Sequence, residues 1–426
     1  MRLKSTPVSI ILFIIFIGFL YGSENYLEPK KTGEEKKESS VKQEEVSKLV
    51  EIGEGLRVRA RKQSQNGMEI NRIKGHIRML TAQATADDDR IAQAMKFYQG
   101  LVEEYELESS RINEEALRLI AEMAPFQERE KLNRHETILL GRLYLLVNKA
   151  QKMIEVFEYI RSKDKLVSEE YLELVRAYNQ FNDTQTGINL LQEALESKLE
   201  FVQKSELEFL LAQNLFWSGS MKEAILLLKE LERFPETRTR ASRMLISYDQ
   251  TYRQYQQELE YRKADKDLPK VEIKTNRGTI LLELFEDDAP NAVANFITLA
   301  DSKFYDNHFF HRVLPNFMVQ GGDPNSRDSD PSNDGFGGPG YKIKTEISKR
   351  KHFRGVISYA NSGKDTDGSQ FFLTIIPTSW LNGAHAVFGR IIEGMKVVDV
   401  LRKGDEVQSV KVLSRRDHAY TVQKLQ

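Results

Sequence analysis

Four short blocks hold the residues best suited to chemistry. The first, FHRVLPNFMVQGGD at 310–323, sets Arg312 two residues after an apolar Phe310. It continues with Phe317-Met318 and leads Gln320 into a Gly321-Gly322 turn. SYANSG (358–363), GSQFFL (368–373) and WLNGAHAVFG (380–389) follow. A guanidinium is rigid and always charged, so Arg312 can donate hydrogen bonds without titrating. The chain has no Cys, which excludes disulfides, thiolate nucleophiles and Cys-based metal sites. Its seven His show no metal-ligand spacing. His311, beside Arg312, reads as a packed structural histidine.

Together the four blocks resemble the cyclophilin family of peptidyl-prolyl cis-trans isomerases over about residues 270–415. The resemblance implies that Arg312 is the catalytic arginine. Phe317, Met318, Phe372, Leu381 and His385 match the walls of the proline pocket, where aromatic and thioether groups suit a flat apolar ring. Gln320 matches a residue that binds substrate and orients the arginine. Asn361 matches one whose main chain holds the peptide, and Ala360 and Gln370 line the neighbouring groove. Trp380 matches the tryptophan that many family members use to bind cyclosporin. The implied partners are proline-containing polypeptides, with no cofactor and no metal.

A prolyl amide resists twisting by about 18–20 kcal/mol, and its uncatalysed exchange takes roughly tens to hundreds of seconds. A catalyst must favour the twisted amide over both planar forms. Twisting makes the prolyl nitrogen more basic, so a fixed donor aimed at it helps only near the transition state. Two departures from the family pattern stand out. Tyr359 stands where Met is common and is expected near the pocket rim. The segment 325–336, NSRDSDPSNDGF, is longer than the common bacterial form. It lacks the acidic closing ligand of a calcium loop and reads as solvated.

The elements that must position these residues follow from the pattern. Val271–Thr275 and Thr279–Phe285 alternate around Asn276-Arg277-Gly278, which predicts a hairpin. Asp287-Asp288 before Pro290 predicts an acid-capped helix to about Ala300. Short apolar strands are expected at Val356–Ala360, Phe371–Ile376 and Ala386–Ile391, and a second helix at Met395–Leu401. Many short strands with two helices suggest a closed antiparallel β-barrel capped at each end, the fold that the resemblance also implies. The basic stretch after Val412 gives no signal, and 416–426 reads as a tail.

Residues 46–265 are poor in Pro and Gly, with apolar residues at helical spacing. Three segments align with a small-to-modest residue, a large one three later, and an Ile step: Gly141, Tyr144, Met153, Ile154; then Val175, Tyr178, Gly187, Ile188; then Ala212, Leu215, Ala224, Ile225. The region resembles tetratricopeptide repeats, though degenerate, and an unspecialised helical bundle is the alternative. Residues 90–131 are expected to add another helical pair, and 236–262 a closing helix. Arg142, Arg176 and Gln213 read as solvated helix faces, and Phe216 and Trp217 as packing residues.

Arg2 and Lys4 precede an apolar run, VSIILFIIFIGFL, at 8–20. Residues 1–23 therefore read as a secretory signal or, through 8–22, as a retained membrane anchor. The Glu/Lys-rich stretch 24–45 reads as a disordered tether. A formal net charge of −1 gives no electrostatic case for nucleic acid. The expectation is a multidomain, exported isomerase of the bacterial periplasm or cell envelope, either released or anchored in the inner membrane. Its helical repeats would bind client or partner polypeptides. The alternative is a non-catalytic holdase or scaffold whose barrel only docks proline segments.

Overall fold

A computed structural model describes residues 38–83, 89–128, 132–328 and 330–425. The signal or anchor at 1–23 and most of the tether lie outside the described residues. None of the described helices is long and apolar enough to cross a membrane. The chain divides into two compact units, Met1–Lys165 and Leu166–Gln426.

In the first unit, α1 (Glu38–Gln83) and α2 (Asp89–Glu128) pack along each other. Helix α1 begins inside the stretch expected to be a tether. Helix α2 is one 40-residue helix where a helical pair was expected, because the apolar spacing runs through without a break. Arg59 reaches Glu108 and Glu115 across the pair, above a core of Leu56, Ile112, Leu119 and Met123. Helices α3 (Arg134–Leu146) and α4 (Ala150–Lys163) form a hairpin. It opens on a capping box in which Asn133 and Glu136 each satisfy the other's backbone N–H. The crossing is close: a Cβ at Gly141 would fall 2.6 Å from Phe157.

The second unit starts with α5 (Ser168–Asn179) and α6 (Thr184–Leu195), then α7 (Phe201–Ser218) and α8 (Met221–Glu232). Each pair is a helical hairpin. Gly219 turns the second with φ +103°, a conformation that a Cβ disfavours. The closing helix is α9 (Pro235–Ala264), with Pro235 in its first turn. Arg176 is not a solvated face residue: burial lowers its pKa, against the opposing pull of Glu173.

Among the described residues eleven strands follow: β1 (Lys270–Thr275), β2 (Gly278–Leu284), β3 (His308–Phe309), β4 (Arg312–Leu314), β5 (Met318–Gly321), β6 (Lys342–Ile343), β7 (Val356–Tyr359), β8 (Phe371–Thr374), β9 (Val387–Glu393), β10 (Glu406–Ser414) and β11 (Lys424–Leu425). Nine form one antiparallel sheet in the order β3-β10-β1-β2-β9-β7-β8-β5-β4. This corrects the expected closed barrel. The ladder is open, because β3 pairs with β10 and β4 with β5, leaving β3 and β4 unpaired with each other. Only Phe310 and His311 separate the two edge strands in sequence.

The two expected helices are α10 (Pro290–Asp301) and α11 (Met395–Val400). The acidic cap was assigned to the wrong residue. Glu346, not Asp287 or Asp288, accepts from Ala292 N–H at 2.8 Å, while Asp288 pairs with Arg350 at 2.6 Å. The segment after Val412 is tied down as well. Arg415 pairs with Asp301, Arg416 with Asp287 and His418 with Glu286, and β11 pairs with β6.

Helices α7 to α9 do not stand apart from the sheet. Phe216, Trp217, Met221 and Ala224 belong to the same buried cluster as Val271, Ile280, Phe296 and Phe388, with Tyr248 and Tyr255 packed against it. Phe216 stacks on Tyr248 at 3.6 Å. Beside this apolar seam lies Arg350, 2% exposed. Its guanidinium meets Glu258 of α9 at 3.2 Å and also Asp265 and Asp288, and it lies over the Phe285 ring at 4.1 Å.

Candidate active site

Cross-strand register builds the site. In the β4–β5 hairpin Arg312 stands opposite Gln320 and Leu314 opposite Met318. Gln320 in turn faces Phe372 of β8, and Phe372 faces Ser358 of β7. Directly paired residues point to one side of a sheet. Arg312, Gln320, Phe372 and Ser358 are therefore a single row across four strands, with Met318 one step along the same face.

Hydrogen bonds lock this row. Arg312 Nη1 donates to Gln320 Oε1 at 3.3 Å. Gln320 Nε2 donates to Gln370 Oε1 at 3.0 Å, and Gln370 Nε2 to Gly337 O at 2.9 Å. Arg312 keeps an exposed face. Desolvation by the neighbouring wall lowers its pKa, yet a guanidinium starts high enough to stay charged at neutral pH. Among the described residues no carboxylate stands within ion-pair distance of it. Its remaining donors thus have no anionic partner to satisfy them.

The apolar walls come from both sides of the row. Phe317 closes the β4–β5 turn, with its ring 5.8 Å from that of Trp380. Trp380 and Leu381 sit on a 3-10 turn, Ser379–Leu381, and the indole is 63% exposed. On the other side His385 meets Phe372 edge to face at 5.5 Å. Its Nδ1 lies 3.0 Å from Tyr359 O, a contact that assigns the proton to Nδ1. Burial lowers the His385 pKa, so the ring presents a neutral wall. Ala360 N–H donates to Gln370 O at 2.9 Å. Asn361 Nδ2 donates to Asp367 Oδ1 (2.9 Å) and to Ala384 O (3.1 Å). Ala360 thus joins the row through Gln370 rather than by touching Arg312, and Asn361 is held beside it by Asp367 and Ala384.

One sequence-based reading changes. Tyr359 is not at the rim: it is fully buried, stacked on Phe388 at 4.5 Å. Its hydroxyl accepts from Asn295 Nδ2 and donates to Ala292 O. Strand alternation could have revealed this, since Ser358 and Ala360 take the pocket side and leave Tyr359 to the core. The 325–336 loop is partly organised. Arg327 binds the Phe304 and Asp306 carbonyls, and Asn325 binds Asn333 O. His311 is buried as expected, and so is His308.

Sequence reasoning missed His352 and Asp367. The His352 ring stacks on the back of Phe372 at 5.8 Å and 8°, held by Asn382 and Ser358. Burial pushes its pKa down to about 4. Asp367 anchors Asn361, and burial pushes its carboxyl up to about 6. Neither residue stands in a pattern that marks it. Among the described residues no group of His, Asp or Glu is arranged to hold a metal ion.

The family model described as cyclophilin type peptidyl-prolyl cis-trans isomerase/CLD matches residues 270–418. A peptidyl-prolyl cis-trans isomerase of Synechococcus elongatus is 46% identical over 144 residues, spanning 33% of this chain and 94% of that protein. One from Helicobacter pylori is 49% identical over 142 residues, 32% of this chain and 83% of its own. A crystal structure of a Cryptosporidium parvum cyclophilin type isomerase, solved in the presence of the dipeptide Ala-Pro, is 31% identical. It covers 34% of this chain and 99% of its own, with a TM-score of 0.31.

Proposed function

This chain belongs to the cyclophilin-type peptidyl-prolyl cis-trans isomerases, and from that premise we propose that its isomerase centre is the row Arg312–Gln320–Phe372. The walls in this reading are Phe317, Met318, Leu381 and His385. The proline ring enters between Phe317 and Phe372. Asn361, Ala360 and Gln370 take the preceding peptide backbone. Arg312 then donates to the prolyl nitrogen as the amide twists and its lone pair localises. That contact is stronger in the twisted state than in either planar one, which is the condition for catalysis. Gln320 orients the guanidinium, and Gln370 orients Gln320. No proton leaves the substrate, so the neutral His385 serves as a wall and not as a base. The observation that carries this assignment is an arginine without a carboxylate, fixed by a glutamine relay beside an aromatic slot.

The test is cis-trans exchange of a proline tetrapeptide with the full chain and its Arg312→Ala variant. Loss of one transition-state donor predicts a fall of about 10²–10³-fold in kcat/KM. Block by cyclosporin, weakened in Trp380→Ala, would fit the exposed indole beside Phe317. Equally slow exchange in both proteins would leave the scaffold reading standing.

The wider role follows from the sequence. The apolar run at 8–20 supports export and the folding of exported polypeptides, in a bacterial envelope, with the run either cleaved or kept as an anchor. The helical hairpins support a tetratricopeptide-like surface that gathers client segments and raises their concentration near the isomerase centre. Aggregation suppression that survives Arg312→Ala in the full chain would show that client binding is separate from catalysis.

A further inference from the structure

The β4–β5 hairpin carries four of the proposed site residues, Arg312, Phe317, Met318 and Gln320, and β4 is an edge of the open sheet. An edge hairpin lacks a neighbour on one side and needs another restraint to hold its tip. That restraint comes from the helical part of the same unit. The turn between α5 and α6 presents Asn182, 4% exposed and with φ +59°. Its Oδ1 accepts from Asn316 N–H at 2.8 Å, and its Nδ2 donates to Asp399 O at 3.0 Å. Asn316 is the residue before Phe317 and itself has φ +53°.

The two contacts belong to one closed ring of bonds. The Asp399 carboxylate pairs with Arg354 at 2.7 Å. Arg354 donates to Ile375 O, and Ile375 N–H donates to Phe317 O at 2.9 Å. Phe317 is thus held on its own carbonyl from the sheet and through its neighbour's amide from the helical turn. Phe181 adds an adjacent contact, with the Arg402 guanidinium over its ring at 5.4 Å.

We propose that Asn182 is a positioning residue for the isomerase, acting through Asn316 to hold Phe317 against the proline ring. This rests on the site reading above. It makes the α5–α6 turn a working part of the isomerase, because an isolated fragment beginning at 270 lacks the clamp.

Asn182→Gly removes the side chain and keeps the left-handed backbone, which glycine adopts without penalty. Asn182→Asp keeps an oxygen for Asn316 N–H and removes only the donor to Asp399. In the full chain, a wall that binds ground and transition states alike predicts that Asn182→Gly raises KM about fivefold with kcat within about twofold. Backbone amide exchange at Asn316 should accelerate about tenfold or more as its acceptor is lost. Asn182→Asp should return KM to near the unsubstituted value. An unchanged KM in Asn182→Gly, or an Asp variant as impaired as the Gly variant, overturns the proposal while Arg312→Ala still abolishes activity. If the unsubstituted chain and Arg312→Ala exchange the peptide equally slowly, the site reading itself fails and takes this proposal with it. Should Asn182→Gly not fold, exchange at Asn316 in the unsubstituted chain decides. Slow exchange supports the clamp, and exchange at the rate of an exposed amide overturns it.

Discussion

Replacing Arg350 by Met tests whether helix α9 and the sheet form one cooperative body. The methionine approximates the length of the arginine stem and removes the charge. Three carboxylates then lose a shared cation: Glu258 with a side chain 4% exposed, Asp288 at 8% and Asp265 at 12%. Breaking a buried pair costs about 3–5 kcal/mol when the orphaned charge has no other partner. Here two of the three keep one. Glu258 retains Arg262 at 3.0 Å and Asp288 retains Lys349 at 3.0 Å. Asp265 keeps none, since Arg350 is its only ion-pair partner among the described residues. The expected loss is therefore at the low end, about 3 kcal/mol. Urea unfolding followed by far-ultraviolet dichroism measures it. The double variant Arg350→Met/Asp265→Asn, which removes the orphan, should recover at least about 1 kcal/mol of that loss. A single-variant loss under about 1 kcal/mol, or no recovery in the double variant, would refute the idea that this cluster welds α9 to the sheet.

Acid should weaken the fold before it reaches the ordinary carboxylates. Burial holds His352 down to about 4 and His308 to about 3, both below the usual 6.5. Depressed histidines give stability that is whole above pH 6.5 and is lost as pH falls toward their folded values. Asp367, raised to about 6, acts with the opposite sign over part of that window. Two histidines with larger shifts outweigh one carboxyl. The urea midpoint should thus drop between pH 7 and pH 5, and an unchanged midpoint would contradict the burial of those rings. Tyr359→Phe should cost about 1 kcal/mol, the net worth of the lost hydroxyl contacts, because Asn295 Nδ2 still reaches Gly368 O at 2.8 Å. Its exchange rate on a proline peptide should stay unchanged; a large fall would return Tyr359 to the pocket.

The site was far more legible than the frame around it. Arg312, Phe317, Met318, Gln320 and Phe372 occupy one hairpin and its neighbour, so short contiguous motifs keep them together in sequence and in space. Strands β1 and β2 showed through alternation, and β7, β8 and β9 as short apolar runs between turns. Strands β3, β4 and β6 are two or three residues long, too short for any period. Sheet closure depends on a pairing between β3 and β4 that no local pattern records. The same limit hid the seam with α7 to α9. A helical period says that Phe216 and Tyr248 are covered, but not whether another helix or a sheet covers them. Only the fold brings Asn182 to Asn316.

The pairing of β1 with β10 also governs how the protein is made. Asn276 and Glu406 bond across the ladder although 130 residues separate them. At roughly 5–20 residues per second, a ribosome needs on the order of ten seconds to span that gap. Throughout that interval the emerged helices display Phe216, Tyr248 and Tyr255 with no sheet to receive them. A nascent chain of this isomerase therefore carries an uncovered apolar seam until the sheet is complete.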